Sequence, residues 1–114
     1  MIKQKKIESK DSERGIIMKK TTKKYLEKLN NYSKKHLEKA ISISNDDIFA
    51  AIRELYHALN CKAIIVNLYN KINRNKKENI VIDYNKLTNI VCLGNIENNE
   101  KRIINAYEKY AKLF

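Results

Sequence analysis

The chain contains no proline and only two glycines among its 114 residues. Proline interrupts helices, and glycine supplies many tight turns, so their scarcity disfavours turn-rich sandwiches and barrels. It permits long, uninterrupted helices instead. Apolar residues make up 43% of the chain and charged residues 32%, a globular composition at a length that supports one modest core. The sequence therefore predicts an all-α fold.

Apolar residues recur at helical spacing in three long segments. The first predicted helix covers about residues 22–43, and the last covers about residues 99–114. Between them, a helix begins after Ser44 as its N-cap, with Asp47 as its third residue, and continues to about Lys71. This middle helix is apolar on several sides, which predicts a central position in contact with the other helices.

The segment 80–93 has two interpretations. In the favoured one, Asp83 caps a short helix from Tyr84 to about Leu93, and Gly94 ends it. In the alternative, the β-branched residues 80–82 pair with residues 87–93 as a hairpin. The helical interpretation predicts a four-helix bundle or an open helical array, with three long helices and one short helix.

The first 20 residues are rich in lysine and lack apolar periodicity. We therefore predict a flexible basic arm over residues 1–20 and a single helical domain over residues 21–114. Met18 is a candidate alternative start of translation. Residues 12–15, shortly before it, would be encoded by a purine-rich stretch, which is how a ribosome-binding site ahead of a start codon would read if it were translated.

The formal net charge is +11, from 24 basic and 13 acidic residues. Such an imbalance favours a polyanionic partner, with nucleic acid first and an acidic protein or anionic membrane surface second. No apolar run approaches the roughly 20 residues that span a bilayer. The N-terminus has no apolar secretory region either. We expect a cytoplasmic protein that does not bind a membrane and that associates with a protein partner or with copies of itself.

The first helix carries the strongest functional pattern, because residues 19–39 include eight lysines and only two glutamates. Five lysines cluster a third of a turn or more from the apolar side, and Tyr25 and Tyr32 border them. The five, which we call the lysine stripe, are Lys20, Lys24, Lys28, Lys35 and Lys39. Lysines at this spacing can follow a phosphate backbone, and tyrosines can stack on unpaired bases.

The lysine stripe predicts a non-enzymatic protein that binds RNA or single-stranded DNA, alone or as a subunit of a larger ribonucleoprotein complex. The whole chain has only four arginines, which disfavours base-specific readout in a major groove. One alternative is a solvated face whose lysine excess reflects AT-rich codons. Another is a helical interaction module with an acidic protein partner.

Arg53, His57 and Asn60 share one face of the second helix. A ribonuclease could use His57 for proton transfer and Arg53 for the charge of the phosphorane. The alternative is a polar strip that contacts another helix, a dimer partner or water. His36 lies on a different helix, and nothing in the sequence requires the two histidines to converge with carboxylates. We therefore predict no metal site and no cofactor.

The segments LEKA, residues 37–40, and AIRELYHALNCKA, residues 51–63, resemble HEPN-domain proteins. That resemblance implies a small helical bundle, often dimeric, that is a ribonuclease or its inactive relative in a toxin–antitoxin or defence system. The family motif has a longer spacing than the three residues between Arg53 and His57 here, so a non-catalytic member is implied. In size and charge alone, the chain is also similar to small helical subunits of CRISPR effector complexes.

Overall fold

The computed structural model describes residues 19–93, 98–112 and 114. Four helices occur in this part of the chain, and none of its residues is in a strand. The helices are α1 (Lys20–Ile43), α2 (Ile48–Ile72), α3 (Tyr84–Cys92) and α4 (Asn99–Ala111). The prediction of an all-α fold is confirmed, and two long helices pack with two shorter ones.

Helix α3 decides between the two interpretations of segment 80–93. Asp83 caps this helix by accepting a hydrogen bond from the backbone N–H of Lys86 at 3.1 Å. The helix is therefore confirmed and the hairpin is wrong, while Gly94, predicted to end the helix, lies outside the described residues. Helix α1 begins at Lys20, slightly before the expected start at residue 22. Residues 1–18 of the predicted arm, with Met18, lie outside the described residues.

The cap of α2 differs from the prediction. Asp47 is the N-cap, and its carboxylate accepts hydrogen bonds from the backbone N–H groups of Phe49 and Ala50, each at 3.1 Å. Ser44 instead follows the last residue of α1, where its hydroxyl donates to the carbonyl of Ile41 at 2.8 Å. The assignment of Ser44 as the N-cap was wrong, because residues 45–47 are needed to reverse the chain between the helices.

The start of α1 lacks the side-chain cap that the other three helices have. Lys19 occupies the N-cap position without a side-chain hydrogen bond, and the first turn contains no acidic residue. In contrast, Asn98 caps α4 by accepting a hydrogen bond from the backbone N–H of Lys101 at 2.9 Å. Positive charge near a helix N-terminus is unfavourable, because the helix dipole is positive there.

Helices α1 and α2 pack side by side in opposite directions. Alanines that are fully buried, Ala40, Ala51 and Ala58, lie along the two helices. Because these side chains are small, the helix backbones can approach closely. The hydroxyl of the buried Ser33 donates a hydrogen bond to the backbone carbonyl of Ala58 at 2.8 Å, which ties the helices together near their middle.

Helices α3 and α4 cover a second side of α2 and complete the core. The largest members of this core cluster, all buried, are Ile52, Leu55, Leu59, Ile82, Leu87, Val91, Ile103 and Tyr110. The side chain of Asn67 holds the connection before α3 by two hydrogen bonds to the backbone of Ile80. Its Oδ1 accepts from the Ile80 N–H at 2.7 Å, and its Nδ2 donates to the Ile80 carbonyl at 2.9 Å. The predicted central position of α2 is confirmed, since α2 contacts all three other helices.

Replacement of Leu55 by alanine tests whether α2 forms the centre of the core. Leu55 is fully buried, so Leu55→Ala should lower the free energy of unfolding by about 2–5 kcal/mol, measured by urea denaturation. Phe49→Ala is the control on the same helix. The Phe49 side chain is 57% exposed, so this change should cost no more than about 0.5 kcal/mol. Equal losses in the two variants would contradict the described core.

Candidate functional site

All five residues of the lysine stripe are exposed on α1. At 3.6 residues per turn they occupy a sector of about 100° around the helix, and from Lys20 to Lys39 they extend over about 28 Å. The buried residues of α1 lie on the opposite side; they are Leu26, Leu29, Ser33 and Ala40. The geometry therefore separates the basic surface from the packed surface, as the sequence pattern predicted.

Tyr25 and Tyr32 lie along one border of the lysine stripe, with side chains that are 50% and 52% exposed. His36 continues the same border one turn after Tyr32 and is partly buried, because this edge of α1 meets α2. The two tyrosine rings thus present much of their surface to solvent beside lysine ammonium groups. Such rings are available for stacking on a planar ligand.

The histidines converge where this edge of α1 meets α2. The Nδ1 atom of His36 lies 2.7 Å from Oε1 of Glu54, and the ring centroids of His36 and His57 are 5.4 Å apart. We call His36, Glu54 and His57 the imidazole cluster. The stripe residue Lys39 also reaches it, with Nζ 3.8 Å from Oε2 of Glu54. One end of the lysine stripe is therefore continuous with the imidazole cluster.

Arg53 and His57 are both exposed on α2, one turn apart, while Asn60 is half-buried. The sequence placed these three residues on one face, and the structure agrees. The sequence did not reveal that His36 of α1 reaches Glu54 and His57 of α2 across the helix pair. That contact depends on the position of α1 along the axis of α2. The sequence pattern of a single helix does not give this position.

The carboxylate of Glu54 is held in its ionised form by its neighbours. The hydrogen bond with His36 lowers the pKa of Glu54, and the nearby charge of Lys39 lowers it further. Partial burial acts in the opposite direction but is outweighed. The cluster therefore combines one negative charge and two imidazoles with the cation of Lys39 beside them, and Arg53 lies one turn before His57 on α2.

Imidazole and carboxylate groups, which are common metal ligands, meet in the imidazole cluster. In the part of the chain that the structure describes, no group of three or more histidine, cysteine, aspartate or glutamate side chains is arranged to hold a metal ion.

Within the described residues, no helix is both long and apolar enough to cross a membrane.

An open groove of about 620 Å³ lies on the other border of α1, between α1, α2 and α4. Its lining includes the apolar side chains of Leu26, Val66 and Phe114, together with the polar residues Lys23 and Lys62. No residue of the lysine stripe or of the imidazole cluster lines it. The groove is therefore separate from the continuous basic surface.

No protein-family model, curated protein or solved structure matches this chain. The resemblance to HEPN-domain proteins and the similarity to small CRISPR subunits therefore stay predictions. The interpretation of the site rests on the geometry described above.

Glu54→Gln tests the ion pairs of the cluster through the pH dependence of stability. A carboxyl group with a lower pKa in the folded state stabilises the fold above its unfolded pKa, and this contribution is lost as the pH falls. The variant should be less stable than the wild type at pH 6. It should also lose less stability than the wild type between about pH 5 and pH 3, measured by thermal denaturation.

Glu38→Gln is the matched control, because Glu38 is an exposed carboxylate on α1. It should follow the wild-type profile. An acid profile of Glu54→Gln that coincides with that of the wild type would contradict the role of the His36 and Lys39 contacts.

Proposed function

We propose that this protein binds RNA or single-stranded DNA through the phosphate backbone, using the lysine stripe of α1. The observation that carries the proposal is the arrangement of five exposed lysines on one sector of a helix, opposite its buried side. The binding is non-enzymatic and tolerant of sequence. The same surface suits a subunit of a larger ribonucleoprotein complex.

All five lysines of the stripe are exposed, so a ligand can approach their charges from solvent. Among the ion pairs between described residues, Lys39 is the only stripe lysine with a carboxylate partner. Lysine ammonium groups act as mobile point charges that release counterions from a phosphate backbone, so affinity depends strongly on salt. The excess positive charge of the chain, +11 in total, would also speed the encounter with a polyanion.

Tyr25 and Tyr32 support a single-stranded ligand over a duplex. Their half-exposed rings border the lysines, and unpaired bases stack on aromatic rings irrespective of sequence. Bases within a duplex are already stacked on one another and do not offer their faces. The tyrosines would therefore favour a single strand that follows the stripe.

Removal of three stripe lysines tests this proposal. In the variant Lys24→Gln, Lys28→Gln, Lys35→Gln, binding to a fluorescent oligo(U) or oligo(dT) should weaken. For single strands, the slope of log K against log salt changes by about 0.7 per contacted phosphate, so the magnitude of the slope should fall by about 2. Fluorescence anisotropy at several salt concentrations measures both quantities.

The matched control removes the same charge from exposed lysines elsewhere. It replaces Lys71, Lys101 and Lys109, on α2 and α4, with glutamine. This control should keep a slope close to the wild-type slope, whereas equal slopes for the two triple variants would refute a role of the stripe. If the wild type bound polyglutamate but neither oligonucleotide at physiological salt, the helical module with an acidic protein partner would replace this proposal.

The imidazole cluster favours a second candidate function, cleavage of RNA. Two imidazoles lie within 5.4 Å of each other, and exposed Arg53 lies one turn from His57. Two imidazoles could act as base and acid on the 2′-hydroxyl and the leaving oxygen, and an arginine could stabilise the phosphorane. The resemblance to HEPN-domain proteins adds to this candidate, although the spacing of Arg53 and His57 departs from the family motif.

For the ribonuclease, His57→Ala should lower the rate of cleavage of a single-stranded RNA by about 100-fold or more. Because His57 is exposed, the thermal unfolding curve of this variant should differ little from that of the wild type. Asn60→Ala, on the same face, is the control and should retain activity. Intact RNA after incubation with the wild type would exclude this candidate, and cleavage that persists in His57→Ala would assign the activity to other residues.

A further inference from the structure

We propose that the polyanion surface continues from α1 onto α2 through the imidazole cluster, and that protonation of His36 and His57 strengthens binding as the pH falls. This inference rests on the proposed binding along the lysine stripe. It adds a second helix to the binding surface and a dependence on pH. The ligand class stays the same, a single-stranded nucleic acid held by its phosphates.

The basic surface is continuous between the two helices. Lys39 belongs to the lysine stripe and also contacts Glu54 on α2. His36 contacts the same carboxylate and lies within 5.4 Å of His57, as measured between ring centroids. Arg53 precedes His57 by one turn on the exposed face of α2. A strand that leaves the stripe at Lys39 therefore meets His57 and Arg53 next.

The charge of this junction comes from side chains of both helices. Among the described residues, Glu54 of α2 pairs with His36 and Lys39 of α1, and Arg53 lies one turn before His57 on the exposed face of α2. The ring of Tyr56 on α2 contacts His57, and that of Tyr84 on α3 contacts Tyr56. With neutral imidazoles, the carboxylate of Glu54 offsets one of the two cations. Each protonation then adds a positive charge beside the path of the phosphates.

Thermodynamic linkage couples protonation of the imidazoles to binding of the phosphates. Histidine is the side chain that ordinarily changes its charge between pH 5 and pH 8. A bound phosphate favours the charged form of an adjacent imidazole, so binding takes up protons, and a lower pH must in return favour binding. The chain contains only two histidines, and both lie in the cluster. A dependence on pH from histidine would therefore report on this junction alone.

The test measures the affinity for a fluorescent oligo(dT) at pH 5.5 and pH 8.0 and constant ionic strength. Oligo(dT) lacks the 2′-hydroxyl, so cleavage cannot interfere. The wild type should bind about fivefold more tightly at pH 5.5, as expected for added charge contacts on a largely exposed surface. The variant His36→Gln, His57→Gln should lose the dependence on pH, so that its affinity at pH 5.5 is no higher than its own affinity at pH 8.0.

His57→Gln alone is the second variant, since it leaves the contact between His36 and Glu54 intact. It should retain part of the dependence, and circular dichroism at both pH values checks that each variant is folded. If the salt slope of the wild type depends on the lysine stripe but its affinity is equal at both pH values, this inference alone is overturned. This inference alone is also overturned if the variant His36→Gln, His57→Gln keeps the full dependence of affinity on pH. A wild type that binds at neither pH overturns the proposed function as well.

Discussion

The close antiparallel packing of α1 against α2 positions the side chains of the candidate site. Ser33 and the alanines near it permit and fix this contact, since a buried hydroxyl that donates to the Ala58 carbonyl tolerates little movement along the helix pair. The same shift brings His36 opposite Glu54 and leaves the lysine stripe facing solvent. The packing of two uncharged surfaces therefore determines where the charges lie.

Several features of the fold could be predicted from local signals. Asp83 before a short amphipathic run predicted the N-terminus of α3, and the scarcity of proline and glycine predicted the long helices. The N-cap of α2 was predicted wrongly at Ser44, because both Ser44 and Asp47 satisfy the local rules for an N-cap. Which of them caps α2 depends on the length of chain that reverses direction, and this is a property of the helix pair.

The candidate site divides in the same way. The lysine stripe follows from the helical period, so its residues could be named from the sequence, and Arg53 and His57 could be named from their spacing. The partnership of His36 with Glu54 could not, because a shift of one helical turn, about 5.4 Å, between α1 and α2 would separate these side chains. Periodicity identifies the face of a helix, but the neighbour of that face depends on tertiary packing.

The uncapped start of α1 has a consequence for the energetics of any bound ligand. Lys19 and Lys20 lie where the helix dipole is positive, and the side chain of Lys19 makes no capping hydrogen bond. The charges of these two lysines therefore oppose helix formation in the first turn. A polyanion bound to the lysine stripe would offset this repulsion, so helix formation at the start of α1 and occupancy of the stripe would be coupled equilibria. Part of the free energy of binding would then be used to form the first turn.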